Sequence, residues 1–328
     1  QENIKFSETI IVEDLERHLN ILASDSLEGR ETGRPGQKMA ADYIMNHFKN
    51  IGIPPYKKDT YYQKFKVKSG RHLCKCDDCD VSLVKKIFKN KKKIKGENVL
   101  GYIQGTDLKD ELIIITAHYD HLGKHDSLIF NGADDDGSGT VAAMEIAEAF
   151  MLAKKAGKGP RRSVLIMPVS GEEKGLLGSK YYANNPIYPL DNTVANLNID
   201  MIGRIGDFKD NPNYVYLIGS DMLSTELHNI NESVNEKYIG LELDYTFNKE
   251  DDPNRYYYRS DHYNFAKNNI PVIFYFNGLH EDYHKVTDTI EKINFKKIET
   301  IARLVFLTAW DLANREDRII VDKKKTSF

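Results

Sequence analysis

The sequence has little of what would classify it at a glance. Three cysteines in 328 residues cannot build a disulfide framework. Ten prolines and 22 glycines, with no internal repeat, exclude a collagen-like fibre. Lys+Arg 46 against Asp+Glu 49 leaves a net charge of −3, so no global basic charge points to nucleic acid, and no acidic excess points to a special partner. No apolar run approaches the roughly 18 residues that a membrane-spanning helix needs. The best runs, 164–169 and 270–276, are strand-sized. What remains is a globular composition, 41% hydrophobic and 29% charged, in a chain long enough to bury a large core.

Residues 9–22 and 37–50 carry apolar positions at helical spacing (Leu15, Leu19, Leu22; Tyr43, Ile44, Phe48), and residues 60–68 alternate as a strand does. Residues 71–95 hold Cys74, Cys76, Cys79 and a basic run, and read as a solvated excursion or hairpin. A zinc knuckle with His72, a local disulfide with one spare thiol, and three free thiols all stay open for the cysteines. From Asn98 the pattern changes. Strand-sized runs at 99–103, 112–116, 163–169, 194–199, 214–218, 243–247 and 272–276 alternate with helical stretches at 138–155, 175–184, 222–237, 262–267 and 295–314. This predicts an α/β fold: a mixed, mainly parallel central sheet with helices on both faces. The chain divides into 1–97, an N-terminal helical elaboration and hairpin packed on the same domain, and 98–328, the core.

The chemistry-bearing residues follow the strands, where open α/β sheets gather their sites. After 112–116 come His118, Tyr119 and Asp120. In extended backbone the two outer side chains share a direction, which suits a metal-binding imidazole with a carboxylate beside it, or simply a surface histidine near an acid. Asp134, Asp135 and Asp136 precede a helix. Capping needs only one of them, and three adjacent like charges call for a cation or several amides. The alternating acids of a calcium loop are absent. Glu172 and Glu173 could enrich a helix N-terminus, or one could bind a metal while the other stays free as a base. Asp200 ends an apolar strand, where an unpaired carboxylate is costly. His284 is a ligand or a surface residue, and Asp288 either fixes it or caps the next helix. His121, His125 and His280 lie near these motifs with no role forced on them. Nitrogen and oxygen ligands without thiolate favour zinc, with manganese or cobalt possible, and the number of acids exceeds what one ion needs.

Taken in order, these segments resemble the co-catalytic di-zinc aminopeptidase family, which also contains glutamate-carboxypeptidase-like enzymes and glutaminyl cyclases. The matching stretches are His118–Asp120, 132–139, Glu172-Glu173 with Gly175 and 178–179, Asn198–Met201, and Tyr283-His284 with Asp288-Thr289. The resemblance implies two Zn2+ ions, one held by His118 and Asp200, the other by Glu173 and His284, with Asp135 bridging. It implies Glu172 as general base, Asp120 orienting His118, and a cis bond between Asp135 and Asp136. It also implies peptide substrates with a free N-terminus, and no nucleic-acid or membrane-spanning role. Residues 260–262 are similar to a further family signature, with residues 256–258 a possible source of a phenol for the oxyanion. A glutaminyl cyclase-like acyltransferase and a non-catalytic binding module of the same fold are the alternatives. Residues 24–30 look like the lead-in of the family's exported bacterial branch. With Gln1 at the start, the expectation is a secreted, periplasmic or cell-surface protein whose signal segment has been removed.

Overall fold

The computed structural model describes residues 2–68 and 93–323. The cysteine readings, and most of the expected 71–95 excursion, lie outside the described residues. Three helices come first: α1 (Glu2–Ser7), α2 (Val12–Leu22) and α3 (Pro35–Ile51). The helix expected over 9–22 forms as α2 from Val12 to Leu22, and α1, before residue 9, was not foreseen. Helix α3 starts with Pro35 in its first turn, where a missing N–H costs nothing, and ends at Gly52 in the left-handed region (φ 94°).

The strands are β1 (Tyr62–Lys68), β2 (Lys93–Val99), β3 (Gly101–Ile103), β4 (Leu108–His118), β5 (Gly123–His125), β6 (Leu128–Phe130), β7 (Arg162–Val169), β8 (Thr193–Ile199), β9 (Tyr214–Ile218), β10 (Glu242–Asp244) and β11 (Val272–Phe276). Between them lie α4 (Gly139–Lys155), α5 (Leu177–Asn184), α6 (Thr225–Val234) and α7 (Tyr263–Ala266), and α8 (Phe295–Asn314) follows β11. The central sheet has seven strands in the order β10-β9-β11-β8-β4-β7-β3. Neighbours are parallel except for β9/β11 and β3/β7, which confirms a mixed, mainly parallel sheet. The pairs β1/β2 and β5/β6 form separate antiparallel ribbons.

Helices cover both faces, and β4 shows how. Ile113, Ile115 and Ala117 join the apolar cluster of α2, α3, α4 and α8, while Leu112 and Ile114 join the cluster that holds Tyr182 of α5 and Phe265 of α7. Alternate residues thus feed two cores, which is why the strand reads as a continuous apolar run. Helices α6 and α8 are capped by Ser224 and Asn294, whose side chains accept from the backbone N–H groups of Leu227 and Lys297. Because β4, β7, β8 and β11 run the same way, their carboxyl ends share one rim of the sheet.

Candidate metal centre

The shared rim collects the predicted residues. His118 is the last residue of β4, with Asp120 two residues on. The turn after β7 presents Glu172 and Glu173, Asp200 directly follows β8, and the loop after β11 brings His284 back. Asp135 arrives from the turn that enters α4, and its peptide bond to Asp136 is cis.

Asp135 stands between two groups of side chains. Its Oδ1 lies 3.2 Å from His118 Nε2, which is itself 3.6 Å from Asp200 Oδ1. Its Oδ2 lies 3.1 Å from His284 Nε2, which is 3.3 Å from Glu173 Oε2. The two triads His118/Asp135/Asp200 and His121/Asp135/Glu173 each place their donor atoms within 4.8 Å of one another, sharing Asp135. All these side chains are buried or nearly so. Asp135 Oδ2, Glu173 Oε1 and both ring nitrogens of His121 are buried without a hydrogen-bond partner. Orphaned acceptors and imidazoles converging on one space are the complement of a cation, so the donor set fits the group that the sequence implies.

Glu172 sits beside this set, its Oε2 4.0 Å from His118 Nε2. The adjacent glutamates are pushed in opposite directions. Burial raises the Glu172 carboxyl well above its ordinary value. Burial also acts upward on Glu173, but the charge of His284 and the close His121 and His284 rings bring it down to about 2. For Asp135, the close rings of His118, His121 and His284 overcome burial and hold the carboxyl well below its usual range. Neighbouring carboxyls driven apart in this way can take separate roles, one a permanent anion and the other a proton carrier.

Polar side chains lock the frame. Asp136 accepts from the backbone N–H groups of His118 (3.0 Å), Gly139 (2.9 Å) and Met201 (3.1 Å), tying together the ends of β4 and β8 and the start of α4. Ser260 Oγ donates to Asp200 Oδ2 at 2.6 Å and accepts from Asn198 Nδ2 at 2.9 Å. Arg30, fully buried, donates to the carbonyls of Leu22, Tyr119, Asn131 and Gly132 at 2.5 to 2.9 Å. The cavity beside the centre is lined on its apolar side by Met201, Phe274, Phe276 and Leu279, with Tyr256, Arg259 and Tyr283 around them.

Two expectations need correcting. His118 Nδ1 lies 3.0 Å from the main-chain carbonyl of Asp120 and 3.9 Å from its carboxylate, so the carbonyl orients the ring. The Asp120 carboxylate instead accepts from Thr32 Oγ1 at 2.6 Å and from the Glu172 backbone N–H at 3.3 Å. Asp288 does not cap the next helix, whose N-cap is Thr289; it accepts from the backbone N–H groups of Asp134 and Asp135. Of the tyrosines at 256–258, Tyr256 lines the cavity, joined by Tyr283, whose ring stacks on His284 at 3.9 Å.

Sequence reasoning missed His121 and His280. His121 Nδ1 is 2.9 Å from Glu173 Oε1 and 3.8 Å from Asp135 Oδ2, and His280 Nε2 is 3.1 Å from Asp134 Oδ2. The available signal was Gly132, which has φ 55° and faces the His121 ring so closely that a Cβ there would overlap it.

A strand-end cluster of imidazoles and carboxylates on a mixed α/β sheet defines a candidate metal-binding site. The model of Peptidase family M28 matches residues 98–309, and the chain belongs to that family. A probable leucine aminopeptidase of Trichophyton verrucosum is 30% identical over 214 residues, covering 62% of this chain and 55% of the relative. Leupeptin-inactivating enzyme 1 of Streptomyces exfoliatus is 33% identical over 173 residues, 52% of this chain and 34% of the relative. A probable zinc metalloprotease of Leptosphaeria maculans is 34% identical over 110 residues, 32% of this chain and 24% of the relative. The chain therefore spans between about a quarter and just over half of these relatives, which are fungal as well as bacterial. The LapA aminopeptidase of Legionella pneumophila superimposes with a TM-score of 0.71 at 22% identity, over 96% of this chain and 75% of that one. An aminopeptidase from Aneurinibacillus sp. strain AM-1 does so with 0.68 at 16% identity, over 98% of each chain. These structural likenesses establish the fold.

Proposed function

We propose that the protein is a zinc aminopeptidase that hydrolyses the N-terminal peptide bond of peptides. The observation that carries this reading is Asp135, whose two carboxylate oxygens each face a different histidine at 3.2 and 3.1 Å. His118 and Asp200 would hold one zinc, Glu173 and His284 the other, and Asp135 both. Bound there, the metal pair supplies Lewis acidity and lowers the pKa of water toward neutrality.

The chain's own groups do the rest. The Asp120 carbonyl accepts from His118 Nδ1, so the lone pair of the neutral ring sits on Nε2, toward Asp135 and Asp200. Glu172 would take a proton from the attacking water onto its carboxylate and return it to the leaving amine, and its burial, which raises the carboxyl, makes it a better proton acceptor than an exposed glutamate. Acidic side chains at the centre favour a substrate with a free α-amine, and the Met201, Phe274, Phe276 and Leu279 wall receives an apolar first side chain.

The test is hydrolysis of aminoacyl p-nitroanilides by protein loaded with zinc and protein treated with a chelator. We expect leucyl and phenylalanyl substrates to be cleaved, their N-acetylated forms to resist, and activity to return with zinc. Cyclisation of N-terminal glutamine without hydrolysis would favour the acyltransferase alternative, and no turnover of either kind a binding module.

A further inference from the structure

Helices α2, α3 and α4 each contribute one side chain to a second buried cluster, which shares no residue with the first: His18, His47 and Glu145. One donor atom from each lies within 4.8 Å of the other two. His18 Nε2 is 3.1 Å from Glu145 Oε1, and both side chains are 2% exposed. Neither atom has a hydrogen-bond partner of acceptable geometry. Two buried donor atoms at that distance that do not point at each other match ligands around an ion. Zinc–nitrogen and zinc–oxygen bonds of about 2.0–2.1 Å at tetrahedral angles set ligand atoms roughly 3.3 Å apart.

The outer atoms of both rings are held. His18 Nδ1 is 2.7 Å from the Tyr43 hydroxyl, and His47 Nε2 is 3.2 Å from the Met144 carbonyl. A carbonyl only accepts, so His47 carries its proton on Nε2 and, when neutral, its lone pair on Nδ1. Ligating histidines are held through their second nitrogen in this manner.

We propose that His18, His47 and Glu145 bind a divalent transition-metal ion of the zinc class, separate from the catalytic centre, which clips α2 and α3 to α4. Two imidazoles and a carboxylate without thiolate suit zinc, cobalt or nickel. Three protein donors leave a fourth position for water; Glu148, one turn along α4 and 38% exposed, has its Oε2 4.0 Å from His47 Nε2, the nitrogen turned to the Met144 carbonyl. The electrostatics agree with the geometry. Burial brings both imidazoles down to about 4, leaving them neutral and able to ligate. It pushes the Glu145 carboxyl up to about 8, so the metal-free side chain is protonated at neutral pH and a bound cation would displace that proton.

The experiment uses the full chain, stripped with a chelator, reloaded with Zn2+ or Co2+ and desalted, with metal per chain read by elemental analysis. Wild type is compared with Glu145→Gln, which is nearly isosteric, and with His47→Gln at the rim of the cluster, which decides the matter should the first variant fail to fold. Each variant is expected to hold one equivalent fewer than wild type, whatever the wild-type total. Each should cleave substrate with unchanged kcat/KM and gain less in Tm on addition of zinc. Equal metal content in wild type and the folded variants, with equal metal-induced shifts in Tm, overturns the proposal.

Discussion

Replacing Glu172 with glutamine removes a proton acceptor while sparing every proposed ligand. Glu172→Gln should therefore keep its metal, by elemental analysis, and lose about 10²–10⁴-fold in kcat. Near-normal turnover in the fully metallated variant would assign proton transfer elsewhere. His121 makes a different prediction. Its ring touches Glu173 and not the cavity, so it acts as a positioning residue for a ligand. His121→Gln should weaken metal affinity by about 10–100-fold, read by competition with a chromophoric chelator, and activity at saturating zinc should recover most of the loss. An unchanged affinity would reduce His121 to a space-filling ring. The residue scale also shows what sequence can reveal. His118, Asp135, Glu173, Asp200 and His284 stood out by their places after apolar strands or before a helix, and it was the family resemblance that implied their roles. The partners of Asp120 and Asp288 were not legible, since both carboxylates bind backbone N–H or hydroxyl groups from distant segments. His121 was hidden because its place depends on a glycine eleven residues later lacking a side chain.

At the scale of elements, strands buried on both faces were the easiest to read. Val272–Phe276, Tyr214–Ile218 and helix Phe295–Asn314 match their expected spans. The short ribbon of β5 and β6 was not foreseen, because its strands are only partly buried and lack an apolar signature. The helix expected over 222–237 stops regular winding at Val234, and the strand expected over 243–247 is Glu242–Asp244. Packing of α2, α3 and α4 also sets a pH dependence for the metal-free protein. Between about pH 4.5 and 6.5 the unfolded chain protonates both His18 and His47, while the folded chain keeps both neutral and holds one extra proton on Glu145. The unfolded state then binds one proton more, so stability should rise with pH by about 1.4 kcal/mol per unit. From about pH 6.5 to 8 only folded Glu145 is protonated, and stability should fall as pH rises. Urea unfolding of chelator-treated protein should thus show this cluster's contribution peaking near pH 6.5. Glu145→Gln should abolish the alkaline fall and steepen the acid limb. Tyr43, Arg17, Asp14 and Glu148 surround the cluster in both proteins, so the difference between them isolates Glu145.

For the whole molecule, Arg30 joins segments that the sheet alone would leave independent. Its guanidinium holds the end of α2 to the loop leaving β4 and to the turn that carries Asp135. Arg30→Ala takes the guanidinium from four carbonyls, of which that of Gly132 keeps the Gly137 N–H, and we expect it to cost about 3 kcal/mol or more, read as a lowered urea midpoint. Arg30→Lys should recover only part of this, because an ammonium cannot span acceptors that a planar guanidinium reaches. A stability change within about 0.5 kcal/mol would mean that water replaces the side chain.

The direction of β9 has a practical consequence. It runs against β11, so the chain leaves it on the rim opposite the shared one. The turn at Gly157, between α4 and the start of β7, lies on that opposite rim too, and a Cβ there would meet nothing within 4 Å. Tethering the protein to a bead or fusing a cargo at that turn would leave the metal centre facing outward, open to the peptides that the proposed function assigns to it.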